Sequence, residues 1–145
     1  MKLDEVAKEL KDTFGDKIVD IYKKSDKRLY VGVDPTAIVP IAGHVFNKMD
    51  TRFMIATGVD TPRGVLEILY HFAFDRENCI VSLRVLIDKK NPEIESITST
   101  VPPANWIERE MWELLGINFK NHPNLKHLLL VDDWPEGNYP LRREQ

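Results

Sequence analysis

Two stretches of strict alternation constrain this chain more than anything else in it. Leu66, Ile68, Tyr70, Phe72 and Phe74 alternate with polar or smaller neighbours, and Cys79, Val81, Leu83, Val85 and Ile87 do the same after the turn Asp75-Arg76-Glu77-Asn78. Side chains of a strand point to opposite faces in turn, so two period-two runs around a polar turn dictate an antiparallel hairpin with one buried face. That buried face needs a covering layer. Leu3, Val6, Ala7, Leu10 and Phe14 recur at three- and four-residue spacing before Gly15, which predicts an amphipathic helix with a glycine C-cap. Ile38, Ile41, Ala42, Val45, Phe46 and Met49 form a second apolar stripe behind Asp34-Pro35, an N-cap acceptor followed by a proline. Pro40 removes an interior hydrogen bond, so this helix is expected to begin late or bend.

Further strands are predicted at Ile18 to Tyr22, Leu29 to Val33 and Arg52 to Val59. Helices interleaved with antiparallel strands give an α+β fold, a two-layer domain with an antiparallel or mixed sheet packed by helices. The expected division is an α+β domain over residues 1–116 and an irregular partner-binding tail over 117–145, within a single domain overall. In the last third, Asn105 and Glu108 have capping-box spacing, which predicts a helix from about Trp106 to Leu115 ended by Gly116. Beyond it the sequence is proline-interrupted, carries Trp134 and Tyr139, and is expected to need another surface to lie on.

Composition excludes several classes of function. A net charge of −3 argues against a nucleic-acid binder, which needs an excess of Lys and Arg for phosphates. The single cysteine, Cys79, excludes a self-contained iron–sulfur cluster, which takes about four thiolates. The charged amino terminus does not read as a signal peptide. The longest uncharged run, Pro35 to Asn47, is shorter than the roughly 18 residues of a membrane span. Any membrane association is therefore expected to go through a partner.

The carboxy-terminal helix holds the residues with most chemical potential. Ile107, Met111, Leu114 and Leu115 share its packing face, while Trp112 lies off that face near Arg109. Trp112 is either an interface anchor or a ring covered by the chain's own tail. Glu110 and Glu113 could converge as an acid/base pair, but Arg109 can equally pair Glu113 at i,i+4. A solvated or partner-facing charged surface is the favoured reading. The histidines at 44, 71, 122 and 127 lack metal-ligand spacing, and Asp132-Asp133 reads as a turn.

The segments Pro103-Ala104-Asn105-Trp106-Ile107-Glu108-Arg109-Glu110, Glu113-Leu114-Leu115-Gly116-Ile117 and His122-Pro123-Asn124-Leu125-Lys126 resemble the signature of the 30 kDa subunit family of respiratory NADH dehydrogenase, complex I. The match continues through Leu128-Leu129, Asp133-Trp134, Gly137 and Pro140-Leu141-Arg142-Arg143. The resemblance implies a non-catalytic peripheral-arm subunit without a cofactor of its own. It would pack on the hydrogenase-like large subunit near the small iron–sulfur subunit. Iron–sulfur clusters, and nickel–iron in hydrogenase-type members, would belong to those partners, on the cytoplasmic side of the membrane. Gly137-Asn138-Tyr139-Pro140 and the end at Glu144-Gln145 differ from many complex I members and point to the branch found in energy-converting membrane-bound hydrogenases and related archaeal complexes. Glu108, Arg109, Glu110, Trp112, Glu113, His122, Trp134, Arg142 and Arg143 are the expected partner-contact or tail-anchoring positions. The alternatives are a transient assembly factor or adaptor, and a small stand-alone hydrolase using Asp132, Asp133 and a histidine.

Overall fold

The computed structural model describes residues 1–143; the last pair of the sequence, Glu144-Gln145, lies outside the described residues. The hairpin forms as the alternation requires. Strand β4 (Val65–Phe74) pairs antiparallel with β5 (Cys79–Asp88) in unbroken register from Val65↔Asp88 to Phe74↔Cys79. Asn78 closes the turn at φ 53°, a left-handed conformation that asparagine tolerates. Strand β3 (Arg52–Asp60) lies antiparallel on the far side of β4. At the amino-terminal end, β1 (Ile18–Ser25) pairs antiparallel with β2 (Arg28–Val33), and β2 joins β5 in parallel. Among the described residues this gives a five-stranded mixed sheet in the order β1-β2-β5-β4-β3.

Helices cover the face that the alternation buries. Helix α1 (Leu3–Phe14) contributes Leu3, Val6 and Leu10 to one core with Val31, Ile68, Phe72, Val81 and Leu83. Burying each such side chain contributes about 1.5–3 kcal/mol. Helix α2 (Ile38–Gly43) starts behind a short 3-10 turn, with the Asp34 carboxylate accepting from Thr36 N–H at 2.9 Å. Pro40 falls in its first turn, where an N–H has no helical acceptor and its loss is harmless. The helix does begin late, and it continues into a π-turn over His44–Lys48.

The opposite sheet face carries the other half of the alternation. Tyr22 and Tyr30 stack there at 6.2 Å, and His71 Nδ1 lies 2.7 Å from Ser82 Oγ. The sheet is thus one layer and the helices the other.

The carboxy-terminal third departs from expectation in two respects. Strand β6 (Glu93–Glu95) pairs in parallel with β7 (Asn118–Lys120), and Ile117 and Phe119 are fully buried. The ordered domain therefore runs past residue 116, and the tail begins beyond this strand. Helix α3 (Asn105–Leu115) ends at Gly116 in the left-handed region, φ 75°, as predicted. Its start is different: Ala104 occupies the N-cap with no side-chain hydrogen bond, and Glu108 points inward instead of closing a capping box.

Candidate functional site: a tail seated on helix α3

Helix α3 packs on β3 at Gly58. A Cβ there would stand 2.5 Å from Leu115 Cδ1 and 3.2 Å from Met111 Sδ, so the absence of a side chain sets how closely helix and strand approach. That approach fixes which flanks of α3 face inward. Met111 and Leu115 are buried, as the helical spacing predicts, while Trp106 is 69% exposed.

The expected charged surface of α3 is largely an interior. Glu108 is fully buried, Arg109 is 7% exposed and Glu113 is 2% exposed. Buried charges persist only when hydrogen-bonded, and each of these is. Glu108 accepts from Ser96 Oγ at 2.6 Å, Ile97 N–H at 2.9 Å and the Thr98 hydroxyl, fixing the chain ahead of the helix. Burial pushes its pKa up, and the donors Ser96, Thr98 and Ile97, with His122 nearby, offset only part of that rise. The His122 side chain is also buried. Its Nδ1 accepts from Asn124 N–H at 3.0 Å, which leaves Nε2 to donate to the Asn105 carbonyl at 3.0 Å.

Arg109 and Glu113 do not pair with each other as i,i+4 neighbours. They grip successive pieces of the tail. Arg109 donates to the carbonyls of Lys126 (3.0 Å) and His127 (2.6 Å). Glu113 accepts from the N–H groups of Leu129 (2.7 Å), Leu128 (3.1 Å) and Leu130 (3.3 Å), with His127 Nδ1 at 3.0 Å. A cation and an anion one helical turn apart thus satisfy the backbone's acceptors and then its donors. Burial raises the Glu113 pKa, but the bonds from Leu129, His127, Leu128 and Leu130 together outweigh it and hold the carboxyl below its ordinary value.

A second anchorage holds the other end of the tail. Leu141 N–H donates to the Leu114 carbonyl at 2.9 Å, Arg142 Nε donates to the Leu115 carbonyl, and Arg143 N–H donates to Asp60 Oδ2 at 2.7 Å. Asp60, at the end of β3, also pairs with Lys89. Burial raises its pKa, but Lys89 and the Arg143 N–H together bring it below its usual value. Tyr139 lies against Gly116, where a Cβ would come within 2.6 Å of the ring.

The predicted residues therefore divide by role. Glu108, Arg109, Glu113 and His122 are used inside the chain, which replaces the expectation of a partner-facing charged helix with one of tail seating. Trp112 is partly covered by the tail, its ring centroid 5.1 Å from that of His127. Trp134 donates its indole N–H to the Asn138 carbonyl at 2.7 Å. Glu110 stands apart, lining a groove with Ile55, Met111 and Leu141. Arg142 and Arg143 anchor the far end, Arg143 through its backbone. Asp132 and Asp133 lie in an exposed turn. The tail is not laid wholly on another surface, since α3 supports it at both ends. Its outward side nevertheless leaves Leu129, Val131 and Leu141 at 64%, 62% and 57% exposure. Sequence reasoning missed Asp60, Ser96 and Thr98 as members of this site. Nothing in their local spacing ties them to α3.

The sequence profile described as respiratory-chain NADH dehydrogenase, 30 Kd subunit, matches residues 31–145, and the chain belongs to that family. It is 47% identical over 89 residues to the C-type subunit of F(420)H(2) dehydrogenase from Methanosarcina mazei, covering 61% of this chain and 56% of that protein. The chain thus spans little more than half of that relative's length. It is 36% identical over 123 residues to the C-type subunit of NADH-quinone oxidoreductase from Roseiflexus sp. (strain RS-1), covering 80% of this chain and 68% of the relative. Its fold is also similar to a chain in the structure of the membrane-bound sulfane sulfur reductase, an archaeal respiratory membrane complex. The TM-score is 0.82 at 20% identity, covering 96% of this chain and 82% of the other. Among the described residues, no helix is long and apolar enough to cross a membrane.

Proposed function

We propose that this chain is a non-catalytic structural and assembly subunit in the peripheral arm of a membrane-bound, complex I-related oxidoreductase. It packs on the hydrogenase-like large subunit, close to the small iron–sulfur subunit, on the cytoplasmic side of the membrane, which it reaches only through those partners. The redox groups belong to the partners. Family membership supports the class of complex. One structural observation carries the role: Arg109 and Glu113 are spent on holding residues 126–130 on α3, Asp60 of β3 holds the backbone at Arg143, and Leu129, Val131 and Leu141 are turned outward. Such an arrangement builds a surface for another polypeptide, because exposed apolar groups on a fixed backbone lose little entropy on docking.

The 47% identity to the F(420)H(2) dehydrogenase subunit favours F(420)H(2) as the donor oxidised elsewhere in the holoenzyme. The hydrogenase-type branch rests on the sequence resemblance alone. The test is to tag the chain in its native host, solubilise membranes gently and identify what co-purifies. Stoichiometric recovery of a hydrogenase-like large subunit and a small iron–sulfur subunit is expected. Recovery of the chain as a lone monomer, or oxidoreductase turnover by the chain with no other subunit present, would refute the role.

A further inference from the structure

Between α3 and the tail lies a cleft of about 410 Å³ with aromatic walls, Trp112 from the helix and Trp134 and Tyr139 from the tail. Its carboxylates are Glu113, Asp132 and Glu136, and among the described residues no lysine or arginine lines it. Glu113 is already used by the backbone of Leu128 to Leu130. Asp132 and Glu136 are exposed and, among the described residues, take part in no hydrogen bond or ion pair. The walls are held in place: Trp134 by its bond to the Asn138 carbonyl and Trp112 by His127. The Arg142 guanidinium carbon stands 5.7 Å from the Tyr139 ring centroid, so a cation already sits against one of these rings.

Resting on the subunit role proposed above, we infer that this cleft is the receptor for an arginine side chain of a partner subunit. Aromatic faces carry negative quadrupole potential and attract a cation, most strongly when it is sheltered from water. Two uncompensated carboxylates at the mouth add charge complementarity. A guanidinium suits the cleft better than an ammonium, because its plane stacks on rings while its edge bonds carboxylates bidentately. The occupant comes from a protein, since the cleft belongs to the same tail that turns Leu129, Val131 and Leu141 outward. An arginine anchor with apolar contacts around it is the usual make-up of an interface hot spot.

Two measurements on the full-length chain test this. In the first, the purified chain is titrated with N-acetyl-arginine methylamide while tryptophan fluorescence is followed. The expected result is a saturable change, absent with the uncharged citrulline analogue and absent in the D132N/E136Q variant, whose melting temperature stays at the wild-type value because both side chains are exposed. No saturable change, or an equal one with citrulline, overturns the cleft as a guanidinium site. In the second, labelled chain is bound to the complex isolated from cells that lack it. D132N/E136Q is expected to bind about tenfold or more weakly at low salt, the gap narrowing as salt screens the charges, while D133N binds like wild type. Wild-type binding with the double variant within twofold of it overturns the inference and leaves the subunit role standing. Failure of the wild-type chain to bind at all overturns the subunit role, and the partner arginine with it.

Discussion

Replacing Glu113 by alanine removes the acceptor for the backbone N–H groups of Leu128, Leu129 and Leu130 at once. Hydrogen bonds to a charged group contribute about 2 kcal/mol each. Release of those residues returns about 1 kcal/mol of backbone entropy apiece. The difference is about 3 kcal/mol of local stability, or roughly a hundredfold in the opening equilibrium at 1.4 kcal/mol per decade. Amide hydrogen exchange reads this directly. In E113A the amides of residues 128–130 should exchange about a hundredfold faster, while those of β4 and β5 keep their protection if the opening is local. E110A is the control, because Glu110 lines an open groove and, among the described residues, makes no hydrogen bond or ion pair. Protection at 128–130 within threefold of wild type in E113A would show that apolar packing, and not the carboxylate, holds this segment.

G116A should lower stability by about 1–3 kcal/mol in urea unfolding, because φ 75° disfavours a Cβ that also meets the Tyr139 ring at 2.6 Å; an unchanged midpoint would refute the close approach. The raised pKa of Glu108 means that its protonated form is favoured by folding. Its stabilising contribution is full below the unfolded value of about 4.3 and is lost as pH rises through the folded one. The melting temperature of E108Q relative to wild type should therefore climb as pH rises from about 4.3 through the window in which the folded-state carboxyl ionises. A flat difference across that window would show that the donors Ser96, Thr98 and Ile97 fully offset burial.

Much of this fold was legible where the signal is local. Residues 66–74 and 79–87 specify their own hairpin, and Leu3 to Gly15 specifies a helix with its stop. The parallel pair β6–β7 was not legible, since Glu93-Ile94-Glu95 and Asn118-Phe119-Lys120 each show one apolar residue, too short a run for a period. The charged face of α3 was misread for a related reason. A helical wheel gives the direction of Arg109 and Glu113 but not what covers them, and the covering chain arrives 14 to 18 residues later. Asn105 and Glu108 have the spacing of a cap, yet Ser96 and Thr98, remote from that spacing, supply the donors that turn Glu108 inward. Arg109, Glu113 and His122 were thus legible as candidates, while their internal roles, and the membership of Asp60, Ser96 and Thr98, depended on contacts made by folding.

The parallel pairing of β2 with β5 has a consequence for biosynthesis. β5 occupies the middle of the sheet, yet its partner β2 is made some fifty residues earlier. Until Asp88 has left the ribosome, Leu29 and Val31 lack their neighbours Val81 and Leu83 on one edge, and a lone two-stranded hairpin is marginal in water. Closing that long loop is slow compared with forming α1 or the β1–β2 turn. A nascent fragment stalled before Cys79 therefore offers chaperones an unpaired apolar strand, and the amino-terminal quarter matures only when the centre of the chain has been translated.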